Sequence, residues 1–172
     1  MALSKIDSAA LAATAVTADV LPAGTVIQTV HNSSIDKTFS TNSTSTVAAT
    51  VLNTSITPSS SSSKVLVTMS LTVGKRGWNV GHVIFAIQRD STKIWGDYNT
   101  KIHYGADDGN SNYDGMDTYV IQYLDSPATT SQVTYRPMFA TSSASYAVRL
   151  NRPHQVDTQY GSCHITLQEI AQ

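Results

Sequence analysis

The sequence predicts an all-β fold, an antiparallel β-sandwich or jelly roll with a short N-terminal arm. Three observations carry this. From Thr25 onward apolar residues recur with period two, the repeat of a half-buried strand. Ser, Gly, Asn, Asp and Pro break these runs at short intervals, as turns do. No long amphipathic helix alternates with them, as a parallel α/β sheet would need. A chain of 172 residues suits one domain plus an arm, here residues 1–24 and 25–172.

Residues 1–21 are alanine-rich, with Leu3, Ile6, Leu11, Val16 and Val20 irregularly spaced. Ser4 and Asp7 approximate a capping box, so a short helix and an extended arm both fit. Pro22-Ala23-Gly24 then breaks the chain, and Val26 to Val30 opens the first strand. Ser59 to Ser63, after Pro58, is a loop. Lys64 to Val73 alternates apolar odd positions with mostly hydroxylic even ones, the pattern of a strand with one wet face. Gly74 to Gly77 predicts a hairpin turn. Val83, Phe85 and Ile87 form an inward row that ends at Arg89-Asp90-Ser91, and Thr92 to Trp95 returns. The connection Gly96 to Asp117 is long enough to be functional or to hide a short strand.

Tyr119 to Leu124 is apolar in both phases, which predicts burial on both sides at a sheet or subunit interface. Asp125-Ser126-Pro127 opens a turn. Val133, Tyr135 and Phe139 continue the pattern, and Pro137 predicts an edge or a bulge. Tyr146, Val148 and Leu150 make the next row, after a tight turn at Ser142-Ser143; Cys163, Ile165 and Leu167 make the last.

Composition narrows the function classes. Only 13% of residues are charged and the formal net charge is -1, so no basic face for nucleic acid is expected. About a quarter of the chain is Ser or Thr. There is no apolar run long enough for a membrane span. Leu11 to Val20, interrupted by Thr14, Thr17 and Asp19, is a poor signal-peptide core. One cysteine, Cys163, excludes an intrachain disulfide framework and reads as a small core residue.

Each candidate site has a plain alternative. Asp108, Asn110, Asn112 and Asp114 alternate as calcium ligands do, but Tyr113 and Tyr119 stand where an EF-hand needs Gly and Glu. The loop reads as solvated and turn-rich, with an irregular Ca²⁺ site as the alternative; no metal or cofactor is expected. His31, His82, His103, His154 and His164 have no metal-ligand spacing. His82 and His164 fall off the apolar phase, so they read as surface or interface residues. No nucleophile elbow or phosphate loop occurs, so no catalytic residues are assigned. Trp95, Tyr98, Tyr104 and Tyr113, beside the Asp and Asn residues of that loop, suit a sugar-stacking surface. The weightier reading is that they close the sandwich ends or fill a subunit seam.

Several segments together resemble small virion proteins of tailed bacteriophages, especially those of cyanobacteria and marine bacteria. These are Met1 to Ser8, Leu21 to Val30, Ile56 to Ser59 with Ser63 to Val67, Arg89 to Thr92, Tyr123 to Pro127, and Ile165 to Ile170. The resemblance spans nearly the whole chain, and its motifs mark turns and strands, so no functional residue transfers with it. It implies a homotrimeric β-sandwich knob displayed on a virion. A short arm without a shaft or coiled coil suits a capsid decoration, or cement, protein. Leu3, Ile6, Leu11, Val16 and Val20 would attach it to the major capsid protein or to tail proteins. The alternative is a tail-fibre tip that binds a host surface glycan through Trp95 to Asp117.

Overall fold

In the computed structural model the described residues are 21–76, 82–96, 101–102, 114–145, 147–153 and 160–172. They form two antiparallel sheets packed face to face. The front sheet contains β1 (Val26–Ser34), β2 (Ser40–Thr41), β5 (Lys64–Arg76), β9 (Asp114–Asp125), β11 (Val148–Leu150) and β12 (Cys163–Ile170). The back sheet contains β3 (Val47–Ala48), β4 (Thr54–Ile56), β6 (Val83–Arg89), β7 (Thr92–Trp95), β8 (Lys101–Ile102) and β10 (Val133–Thr141). The long connection does hide a strand, β8, and β9 begins inside it at Asp114.

The front sheet is built on β5. Its odd positions Val65, Val67, Met69, Leu71 and Val73 are all fully buried, as the alternation predicts. They meet Cys163, Ile165 and Leu167 of β12 in one core with Phe85, Ile87, Tyr135 and Phe139 of the back sheet. Phe85 and Phe139 pack edge-on with ring centroids 5.4 Å apart, and Tyr119 of β9 lies 5.3 Å from Phe85. The back sheet is dry on both faces along its centre: Ile84, Ala86, Met138 and Ala140, on the phase opposite Phe85 and Phe139, are buried too. The front sheet keeps one face wet.

Two expectations need correction. Gly74 is not a turn residue; it lies inside β5, opposite Arg149 and Met116. It is glycine because a Cβ there would stand 1.9 Å from the Arg152 carbonyl oxygen. Pro137 is not on an edge strand, since β10 is central, with β6 on one side and β3 and β4 on the other. Its carbonyl accepts from Ala49 N–H at 2.9 Å, so its nitrogen faces the same side. There the 3-10 turn Thr50–Leu52 separates β3 from β4, and no ladder bond is lost. Within one chain β9 is buried on one side: Ile121 points into the core, whereas Val120 and Leu124 are 68% and 48% exposed.

Cys163 is buried among these side chains, as expected, and its Sγ accepts from Thr72 N–H at 3.3 Å. Burial pushes its thiol up to about 11, against a smaller opposing effect of the Thr72 backbone. Native protein at pH 8 should therefore react with a disulfide reagent at least a hundredfold more slowly than urea-unfolded protein. Full labelling of the folded chain within minutes would contradict this.

Candidate functional site

The predicted attachment residues Leu3, Ile6, Leu11, Val16 and Val20 lie outside the described residues, as do Tyr98, Tyr104, Asp108, Asn110, Asn112 and Tyr113 of the predicted loop surface. Trp95 closes β7, is half-buried, and packs against the core. Asp114 opens β9 opposite Arg76 of β5, in the front sheet, whereas Trp95 lies in the back sheet. What the sequence alone did not reveal is how the described polar side chains are used.

The densest cluster joins the two sheets at one end. Arg89 ends β6, Asp125 ends β9, and Tyr135 lies on β10. Arg89 Nη1 and the Tyr135 hydroxyl both donate to Asp125 Oδ2, each at 2.6 Å. Tyr135 is fully buried, and its hydroxyl is held far above its ordinary range. Burial is the main cause, reinforced by the bond to the Asp125 carboxylate and opposed by Arg89. Burial alone would lower the Arg89 guanidinium, but the bond and charge of Asp125 outweigh it and raise it. Neither group exchanges a proton near neutrality, which acid–base catalysis needs. The cluster is a strut between sheets.

A second buried acid sits near the end of β12, in the same row of the front sheet as Asp125, with Val65 of β5 between them. Glu169 continues the inward phase of Cys163, Ile165 and Leu167 and is 0% exposed. Its Oε1 accepts from both the backbone N–H and the hydroxyl of Ser59 at 2.7 Å, and its Oε2 accepts from Gln28 Nε2 at 2.6 Å. Burial raises its carboxyl, but these bonds outweigh it and hold it below the ordinary carboxylate value. The Ser59–Ser63 loop is thereby tied to the last strand.

A third polar anchor is Asn151, buried with φ +57°, a conformation Asn tolerates better than most residues. Its Nδ2 donates to the carbonyls of Ser34 and Asp36, both at 2.9 Å, fixing the exit of β1.

His31 and His164 stack on the wet face of the front sheet, with ring centroids 5.6 Å apart. This agrees with the phase read for His164. His31 Nδ1 bonds the Thr166 hydroxyl at 3.0 Å, and His164 Nε2 bonds that of Ser162 at 3.0 Å. Among the described residues no group of three or more His, Cys, Asp or Glu side chains could hold a metal ion. Nor is any described helix long and apolar enough to cross a membrane.

The chain is therefore an all-β sandwich in which Arg89, Asp125 and Glu169 serve as internal ties. No protein-family model matches it, and no curated protein sequence does.

Proposed function

We propose that the chain is a bacteriophage virion structural protein, a capsid decoration protein. Its sandwich forms an exterior knob, and residues 1–24 attach it to the capsid lattice. The observation that carries this reading, beside the resemblance, is how the chain enters the sandwich. Gly24 N–H donates to Ala171 O and Ala171 N–H donates to Thr25 O, both at 2.9 Å. The Thr25 hydroxyl also donates to Pro22 O at 2.7 Å. The segment before Pro22 thus departs from one fixed point, beside the C-terminus and the outer strand β1. Such a root transmits load from an arm directly into the front sheet. Use of Arg89, Asp125 and Glu169 as ties also suits a building block better than a catalyst.

Attachment would be additive. Each arm offers modest apolar area through Leu3, Ile6, Leu11, Val16 and Val20. A homotrimer presents three arms at high effective concentration, and each trimer bridges several capsid subunits. Deleting residues 1–20 is expected to leave the far-UV spectrum and melting midpoint of the sandwich unchanged. Binding to undecorated capsids, read by co-sedimentation, should fall at least a hundredfold. Full decoration by the truncated chain would overturn the reading. Specific binding of the intact protein to host glycans on an array, without capsid binding, would assign it to a tail tip instead.

A further inference from the structure

The wet face of the front sheet has an unusual make-up. Strand pairing aligns Ser33, His164, Ser70 and Val120 in one row across β1, β12, β5 and β9. His31, Thr166, Thr68 and Gln122 form the next, and Thr29, Gln168, Leu66 and Leu124 the third. None of these twelve positions is Asp, Glu, Lys or Arg. The row below adds Val26, Ile170 and Lys64, and the row above adds Thr72 and Thr118. Lys64 is the single formal charge in the five rows.

Three of the six large hydrophobics most exposed among the described residues lie here: Val26 at 46%, Val120 at 68% and Leu124 at 48%. The polar side chains are already ordered: Gln122 Nε2 donates to Thr68 Oγ1 at 3.3 Å, and the Thr72 and Thr118 hydroxyls bond at 2.8 Å. Beside them β9 pairs with β5 over all its residues without a bulge. Among the described residues β5 is its only strand partner. From Thr118 to Leu124 it carries no charge, Gly or Pro, the features that normally protect an edge strand.

We infer that this face is where copies of the chain associate. The charge-free centre shows the depletion of formal charge found in interface cores, and Leu66, Val120 and Leu124 stand as apolar residues among its hydroxyl, amide and imidazole side chains. A second copy meets little electrostatic repulsion, because the single formal charge of the face, Lys64, lies in its outermost row. The four strands and five rows span roughly 600 Å², close to the ~800 Å² per partner of a stable interface. The back sheet does not compete, since both its faces are buried at the centre.

This deepens the homotrimer of the proposed function by assigning its contact surface. Light scattering coupled to size exclusion, on the full chain at micromolar concentration, reads the association. The wild type is expected at a multiple of 18.4 kDa. V120D/L124D should dissociate at concentrations at least a hundredfold higher, with an unchanged far-UV spectrum and melting midpoint. I35D, at an exposed position outside the five rows, should keep the wild-type mass. V120K alone provides a milder variant should the double one misfold.

A monomeric wild type at ~100 µM, a hundredfold above micromolar complexes, would overturn the inference. So would V120D/L124D or V120K with the wild-type mass. Association through this face without capsid binding would sink only the decoration reading. Decoration by folded V120D/L124D at wild-type affinity and mass would sink only this one.

Discussion

Replacing Asp125 with Ala should cost about 3 kcal/mol, at the lower end of the 3–5 kcal/mol typical of breaking a buried ion pair. Urea unfolding should show it as a lower midpoint at unchanged slope. The carboxylate is the shared acceptor of the Arg89 guanidinium and the Tyr135 hydroxyl. Its removal strands the Tyr135 hydroxyl and leaves Arg89 Nη1 with a long 3.4 Å bond to the Ser126 carbonyl. Tyr135 is fully buried and has no access to water. The Arg89 side chain is 23% exposed and can partly rehydrate, which keeps the cost from the top of the range. Asp125→Asn retains a carbonyl acceptor and should lose less. Tyr135→Phe removes one donor without leaving a charge unpaired and should cost about 1 kcal/mol. A D125A midpoint equal to the wild type would mean that the cluster is incidental to joining the sheets.

That strut also shows where sequence reading stops. The layers themselves were legible: β5 alternates apolar and hydroxylic residues, and the structure buries the apolar phase fully and, of the hydroxylic residues, Thr72. Turns at Ser59–Ser63 and after Asp125 were legible for the same reason, since short polar residues compete with strand hydrogen bonding. Arg89 and Asp125 carried that same signature, so they read as turn residues. Their proximity arises only once β6 and β9 lie in different sheets ending at the same pole. Gly74 and Pro137 were misread because a glycine marks a close backbone approach as readily as a turn, and a proline marks an interrupted neighbour as readily as an edge. Glu169 was the missed signal: a carboxylate on the inward phase of β12 announces a buried acid before any coordinates are seen. Of the predicted site, the arm and most of the loop lie outside the described residues.

Acid should expose the second tie. The Glu169 carboxyl is lowered from 4.5 in the folded chain, because the bonds from Gln28 and Ser59 favour its ionised form more than burial disfavours it. The unfolded chain therefore takes up this proton first as pH falls. The carboxylate's contribution is complete above about pH 4.5 and is lost as pH drops through the lower folded value. Asp36, lowered by its bonds to Thr38, acts in the same direction. It is exposed to solvent screening, so its share is small. Stability measured from pH 6 to pH 2.5 should thus fall steeply in the wild type and less steeply in Glu169→Gln. At neutral pH, Glu169→Ala should cost about 2–3 kcal/mol, since hydrogen bonds to a charged group are the stronger kind. The lost partner is the buried end of the Ser59–Ser63 loop, so cleavage there by a protease should accelerate in the same variant. Parallel pH profiles for wild type and Glu169→Gln would place the acid sensitivity elsewhere.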